Sequence, residues 1–148
     1  MHEVLPGVFV DTNVWISAFI NPGGPPALIL DAFRNGRLIP IVSQTLLHEI
    51  EDVLRRPRIR ARLKSSNGDV AEVLELLKER GIEVMPTGTL RLCRDPRDDA
   101  LLESAVLGRA QFAVSRDDDI KRDRDLIGRL RELGVEVLSV SEFLEMLA

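Results

Sequence analysis

Short apolar runs rich in β-branched residues alternate along the chain with segments in which apolar residues recur at helical spacing. Five runs have the length of strands, and they lie at about residues 7–10, 38–42, 81–85, 112–115 and 135–138. Helices are predicted between them, because apolar side chains every three to four residues line one helix face. Strands that alternate with helices favour a mainly parallel sheet, so we expect an α/β fold in a single domain over residues 1–148.

Capping residues and prolines locate the ends of the predicted helices more closely. Ser43 is poised to cap a helix that Pro57 halts, Asp95-Pro96 opens another helix that continues to about Leu107, and a capping box from Ser139 to Glu142 precedes the last helix. Further helices are expected at about 14–20, 26–35, 58–65, 69–80 and up to 132, with the charged stretch 116–125 before the last of these. Pro40 lies inside the second run, which suggests an edge strand or a bulge there.

Composition narrows the possible functions. The chain has 148 residues, of which 45% are hydrophobic and 30% charged, and this is the composition of a folded soluble domain. A net charge of −4 gives no global positive field, so any contact with nucleic acid needs local positive charge. Cys93, His2 and His48 are too few for a disulfide framework or a Cys/His zinc site, so a bound metal would have oxygen ligands. The sequence has no secretion signal and no membrane-spanning apolar run, so we expect a cytoplasmic protein.

Polar side chains follow the predicted strands where parallel strands end. Asp11, Ser43, Ser115 and Asp117 all fall at that edge, where the loops of an open α/β sheet build its site. Asp11 alone fits a helix cap equally well, since Asp is among the preferred cap residues. Asp117, Asp118 and Asp119 continue into Lys121 and Arg122, and a plain surface loop explains most of that run.

Two further choices depend on helical phase. Asp98 shares the apolar stripe of Leu101, Leu102 and Ala105, whereas Asp99 is expected to point away from it. A carboxylate aimed at packed surface needs a partner, although backbone N–H groups of a first helical turn can also supply one. Periodicity does not choose between Glu49 and Glu51, which border opposite sides of one apolar face.

A basic run supplies the local positive charge that the whole chain lacks, and it comprises Arg55, Arg56, Arg58, Arg60, Arg62 and Lys64. A solvated helical face explains it equally well, and the same residues suit an acidic protein segment. Trp15 is expected in the core or on a dimer surface. Trp15 and Phe19 together with the basic run form the expected contact surface for a partner peptide.

Four motifs together resemble those of the PIN-domain nucleases over essentially the whole chain. They are Val10-Asp11-Thr12-Asn13-Val14, Ser43 with Glu49, Asp95-Pro96-Arg97-Asp98-Asp99, and Ser115-Arg116-Asp117. The turn 21–26 and the closing segment 141–144 resemble a prokaryotic branch of toxin components of toxin–antitoxin pairs, related to the VapC ribonucleases. The chain departs from related sequences at Ser115, where they often carry Thr, and in the unusually charged 116–125.

The resemblance implies a three-layer α/β/α fold and an endoribonuclease that depends on Mg²⁺ or Mn²⁺. The four catalytic and metal-binding acids then fall on Asp11, Glu49, Asp98 and Asp117. Asn13 and Ser115 match the polar helpers, Asp99 is the alternative to Asp98, and Asp119 is a further candidate. The partners implied are an RNA substrate, a small antitoxin protein and a second copy of the chain in a homodimer, with no membrane.

Two other readings compete with this one. A noncatalytic PIN-like module would bind RNA or protein without cutting, which four retained acids argue against. A receiver-type phosphoacceptor domain also clusters aspartates in an α/β sheet, but an acidic pair would then follow the first strand and a lysine a late one. Here Thr12-Asn13 follows Asp11, and Arg116 follows Ser115.

Overall fold

The computed structural model describes residues 4–91, 96–116 and 118–148, with side chains described for 4–91, 99–116 and 120–148. A central sheet of five parallel strands has the order β3-β2-β1-β4-β5. The strands are β1 Gly7–Val10, β2 Ile39–Val42, β3 Ile82–Glu83, β4 Phe112–Val114 and β5 Glu136–Leu138. The α/β fold and the five strand positions predicted from the sequence are confirmed.

Each connection between consecutive strands contains at least one helix. They are α1 Thr12–Ile20, α2 Pro25–Arg34, α3 Gln44–Arg55, α4 Pro57–Arg62, α5 Asn67–Arg80, α6 Pro96–Leu107, α7 Asp118–Lys121, α8 Arg124–Glu132 and α9 Val140–Leu147. Ser43 caps α3, and the capping box of Ser139 and Glu142 opens α9, as predicted. The helix predicted after the charged stretch 116–125 is α8, which ends at Glu132 as expected but begins at Arg124, and the short helix α7 within that stretch was not predicted. No helix within the described ranges is long and apolar enough to cross a membrane.

The strand order creates a crevice at one edge of the sheet. From β1 the chain moves outward through β2 to β3, and it then returns across the sheet to β4 on the other side of β1. Right-handed crossovers place the helices before β3 on one face and α6 to α8 on the other, which gives the three-layer α/β/α arrangement. The reversal of direction lies between β1 and β4, and ligands of open α/β sheets bind beyond the carboxyl ends of such strands.

The core is built around β1 and α1. Trp15 and Phe19 of α1 are each 1% exposed, and the Trp15 ring packs edge-to-face on Phe33 with ring centroids 5.9 Å apart. The Trp15 Nε1–H donates a hydrogen bond to the Val10 carbonyl at 3.0 Å. Trp15 is thus a core residue. The expected partner-binding surface containing Trp15 and Phe19 is wrong, because both are needed to fill the space between α1, α2 and the sheet.

Pro40 lies in an interior strand, not in the edge strand that the sequence suggested. The Ile39 N–H donates to the Pro6 carbonyl, so alternate N–H groups of β2 face β1 and the position of the missing Pro40 N–H faces the other side. On that side β3 pairs only with Ile41 and Val42. The proline is tolerated because β3 is too short to reach it.

Candidate active site

The Asp11 carboxylate lies between β1 and β4, where the strand order reverses direction, and a hydrogen bond holds each of its two oxygens. Asp11 follows β1 and caps α1, where its Oδ1 accepts a hydrogen bond from the Thr12 N–H at 2.8 Å. Its Oδ2 accepts one from the Ser115 hydroxyl at 2.9 Å. The Asp11 backbone N–H donates to the Val114 carbonyl, which continues the β1–β4 pairing. Asp11 and Ser115, both predicted site residues, therefore meet across the two strands between which the chain reverses direction.

Glu49 reaches the same place from α3. Its Oε2 accepts a hydrogen bond of 2.8 Å from the Thr12 hydroxyl, one residue after Asp11. Glu49 is half-buried and lines the cavity in front of Asp11, whereas Glu51 is absent from that cavity's described lining. The structure therefore separates two glutamates that periodicity left equal, and it brings Glu49 to the site.

Asn13 contacts the segment that follows β4. Its Oδ1 accepts a hydrogen bond from the Arg116 backbone N–H at 3.2 Å. One turn further along α1, the Ser17 hydroxyl donates to the Asn13 carbonyl and accepts from the Arg116 guanidinium at 2.7 Å. Asn13 thus tethers the residue next to Asp117, a role that the sequence did not specify.

These side chains surround a cavity of about 620 Å³ beyond the carboxyl ends of β1 and β4. One part of its lining is polar and another is aliphatic. The described lining residues are Asp11, Thr12, Asn13, Ile16, Ser17, Ile20, Asn21, Glu49, Val53, Ile59, Arg62, Leu101 and Arg116. A cavity with carboxylates, arginines and an apolar wall can hold an anionic ligand that also carries an apolar or planar part.

The remaining predicted acids are only partly described. Asp117 lies outside the described residues, as do the side chains of Asp98 and Asp119. Asp99 is 3% exposed, so the expectation that it points away from the buried face is wrong. The reason is that α6 is buried on every side over five consecutive residues, Leu101, Leu102, Glu103, Ser104 and Ala105. A helical segment that is buried on every side, as residues 101–105 are, gives no phase from which to choose between neighbouring aspartates.

The basic run does not form one surface. Its six side chains are all exposed, but residues two apart on a helix point in opposite directions. Arg62 lines the cavity at Asp11, whereas Arg55 and Arg60 line a separate groove of about 200 Å³ between α3, α4 and α5. Arg56 pairs with Asp52 at 3.5 Å on the surface. His48 is exposed, as expected.

Sequence reasoning missed Glu103, a buried carboxylate of α6. It accepts hydrogen bonds from the N–H groups of Thr87, Gly88 and Leu90 and from the Thr87 hydroxyl. Burial opposes its ionisation, but the N–H bonds from Gly88, Thr87 and Leu90 outweigh burial and lower the pKa of Glu103. Gly88 has a φ of +79°, a conformation that favours glycine. The sequence signal that could have found Glu103 is its position among the apolar residues Leu101, Leu102 and Ala105. Its side chain anchors the loop of residues 87–90 to α6.

The described donors suit a hard cation. Asp11 and Glu49 line one cavity, where the backbone N–H of Thr12 donates to Asp11 and its hydroxyl donates to Glu49, and Mg²⁺ prefers oxygen ligands. Among the described residues, no three His, Cys, Asp or Glu side chains are grouped closely enough to hold a metal ion. Of the four predicted acidic ligands, Asp11 and Glu49 are therefore the two that come together in the described part of the site.

Comparison with known proteins assigns the class. The family model of the PIN domain matches residues 7–119, which include β1 to β4, so this chain belongs to the PIN-domain family. PIN domains are generally nucleases. The chain is also 28% identical over 146 residues to an uncharacterized protein of Methanocaldococcus jannaschii, covering 98% of this chain and 94% of that protein. Family membership removes the receiver-type alternative.

Proposed function

We propose that this protein is an endoribonuclease that uses Mg²⁺ or Mn²⁺ to hydrolyse RNA phosphodiester bonds. The observation that carries the proposal is the convergence of Asp11 and Glu49 on one cavity, where Thr12 donates a hydrogen bond to each of them and Ser115 donates one to Asp11. A carboxylate pair costs free energy when it is brought together without a cation, so its retention at a switch point favours a metal-dependent site.

The charges around the cavity suit a phosphodiester. Net charge is −4, yet Arg62 and Arg116 both line this cavity beside Asp11 and Glu49, so two guanidinium groups lie where the substrate would lie. Arginine binds phosphate through several donors in a fixed plane. This combination supports an anionic polymer as substrate over a neutral small molecule.

Asp11, Glu49, Asp98 and Asp117 are the residues that would hold the cation, with Asp99 as an equal candidate for the third position. When bound, a divalent cation offsets the charge that develops on phosphate oxygens and makes water a better nucleophile. Ser115 and Thr12 orient the Asp11 and Glu49 carboxylates by donating hydrogen bonds to them. Asp119 remains a candidate for a supporting role.

We further propose that the protein is the toxin of a toxin–antitoxin pair and acts as a homodimer, inhibited by a small antitoxin. This rests on the resemblance of the turn 21–26 and of the segment 141–144 to toxin-type PIN proteins. Growth arrest on expression, absent for Asp11→Asn and relieved by the product of an adjacent small gene, is the expected result. A monomer in sizing experiments that causes no growth arrest would contradict both parts.

A noncatalytic PIN-like module that binds RNA or protein is the alternative. A cleavage assay separates the two, using structured and unstructured RNA with Mg²⁺, Mn²⁺ or EDTA. We expect cleavage with either metal and none with EDTA. Binding without cleavage under every metal condition would favour the noncatalytic module.

A further inference from the structure

The outer face of helix α8 carries two stripes of opposite charge. Arg124 and Arg131, one heptad apart, form a basic stripe, and Asp125 and Glu132 form an acidic stripe beside it. All four side chains are exposed. Among the side chains that the structure describes, none of the four takes part in an ion pair. Both stripes are therefore available to a partner outside the chain.

Gly128 lies between the two stripes, at the centre of the exposed face. At about 100° per residue it points directly away from the buried residues Leu126 and Leu130. Glycine destabilises a helix interior relative to alanine. Its backbone here is not left-handed, and no atom of the described residues lies within 4 Å of the place that a Cβ would take. A glycine that the chain itself does not require permits close approach of a partner's backbone.

A second copy of the chain matches this face. When two α8 helices lie side by side and parallel, related by a two-fold axis along their length, the basic stripe of each faces the acidic stripe of the other. Arg124 then meets Asp125 of the other copy, Arg131 meets Glu132, and each contact occurs twice. Gly128 meets Gly128 of the other copy, and small residues at such a contact shorten the distance between helices. In an antiparallel pair, by contrast, Arg131 would face Arg124.

We infer that α8 is a self-association surface through which two copies of this chain pair in parallel, with Gly128 at the two-fold axis. This inference deepens the homodimer part of the proposed function and rests on it for the number of copies. One face of a helix of 9 residues is small beside the roughly 1,200 Å² that specific interfaces bury. The association is therefore reversible, and salt weakens it by screening the ion pairs.

The parallel arrangement determines where the two active sites lie. Helix α8 follows the carboxyl end of β4 and leads to the amino end of β5, so it runs opposite to the strands. The cavity at Asp11 lies beyond the carboxyl ends of β1 and β4, at the end of the sheet where α8 begins. A parallel pair thus places both cavities at the same end of the dimer, where one RNA molecule can reach both.

The test is sedimentation velocity of the full chain over a range of protein and salt concentrations, without RNA or metal. Arg131→Glu and Glu132→Arg should each weaken self-association by about tenfold or more, because each turns two attractive contacts into repulsive ones. An equimolar mixture of the two variants should associate like the wild type, since reversed charges then face each other. Arg129→Glu makes the same charge change on α8 away from both stripes, and it should leave association unchanged.

Several outcomes would overturn the inference. Equal weakening by Arg129→Glu would assign the effect to net charge, and tighter association of Arg131→Glu would indicate an antiparallel pair. A mixture that fails to associate would exclude contact between the two stripes. Weaker RNA binding by Arg131→Glu in EDTA, with self-association unchanged, would assign the arginines to RNA. A dimer that no α8 variant disturbs would overturn the inference and leave the homodimer, and none of these results depends on cleavage.

Gly128→Cys in a Cys93→Ser background tests the axis directly. The introduced thiol should face its own copy across the axis, and a disulfide requires the two Cα atoms to lie within about 7 Å. Mild oxidation should therefore give a covalent dimer on a non-reducing gel. Arg129→Cys in the same background is the matched control, since its side chain points away from the axis, and it should cross-link far less. Equal cross-linking of both variants, or of neither, would overturn parallel pairing through Gly128.

Discussion

The Asp11 side chain depends on contacts that come from distant parts of the chain. Its Oδ1 is bound by the next residue, but its Oδ2 is bound by Ser115, 104 residues later. A sequence motif identifies Asp11 as a helix cap or as a ligand without distinguishing the two, since the capping contact is local. Only the strand order, which places β4 beside β1, shows that the same carboxylate also faces the site.

Ser115→Ala should reduce both stability and cleavage, because it removes the hydroxyl that donates a hydrogen bond to Asp11 Oδ2. We expect a loss of about 1 kcal/mol or more in the free energy of unfolding. Ser115→Thr keeps the hydroxyl that related sequences carry there, and it should retain most of both properties. Urea unfolding followed by Trp15 fluorescence measures the stability. Equal stability of the alanine and threonine variants would show that the hydroxyl contributes little.

Glu49→Gln should lower cleavage by roughly 10- to 100-fold, the range for losing a group that orients or supports a metal site. The amide keeps an oxygen that can accept from the Thr12 hydroxyl, so the fold should be unaffected. Glu51→Gln is the matched control, since it makes the same change two residues away on α3 and outside the described cavity lining. Initial cleavage rates decide the matter, and similar losses for both variants would remove Glu49 from the site.

At the scale of elements, helix α6 shows where pattern analysis fails. Its position was predicted correctly, and Leu101, Leu102 and Ala105 of its predicted apolar stripe are buried, but Asp99 is buried as well, against expectation. Periodicity assigns a residue to the solvent only when the helix has a solvated face there. In α6 the polar residues Asp99, Glu103 and Ser104 are buried along with Leu101 and Leu102. By contrast, α3 has a polar face, and its buried residues Leu46, Leu47 and Ile50 recur at helical spacing along one side.

Burial of Asp99 changes what is expected from the adjacent aspartates. We now expect Asp99→Asn to reduce cleavage as severely as Asp98→Asn, since helical phase no longer excludes Asp99. The measurement is the cleavage rate of each variant after its fold has been checked by circular dichroism. Full activity of Asp99→Asn beside an inactive Asp98→Asn would restore Asp98 as the third acid by itself.

Glu103 should make the protein sensitive to acid. Because its pKa is lowered in the folded state, its ionised form adds stability above the unfolded value of about 4.5, and that stability is lost as pH falls through the lower folded pKa. Glu103→Gln should cost about 2 kcal/mol at neutral pH and show a weaker decline below pH 4.5. Urea unfolding at several pH values measures this, with exposed Glu132→Gln as the control. Parallel pH profiles for wild type and Glu103→Gln would contradict the role.

At the scale of the whole molecule, local signals located the strands but not their order. Each strand is a short apolar run that can be recognised without its neighbours, whereas the crossing from β3 to β4 depends on packing over long separations. The residues of the site divide in the same way between local signals and long-range packing. Asp11 and Ser115 were identified by their position after strands, while Arg116 and Arg62 gained meaning only when the cavity brought α4 and the end of β4 together.

The most direct test of a metal-dependent nuclease centred on Asp11 is the cleavage rate of Asp11→Asn across a titration of Mg²⁺ and Mn²⁺. Asparagine is also a favoured helix cap of nearly equal volume, so the variant should fold and unfold like the wild type. We predict that wild-type protein cleaves RNA with either metal and that folded Asp11→Asn does not cleave at any metal concentration. Wild-type cleavage rates in a well-folded Asp11→Asn protein would contradict the account.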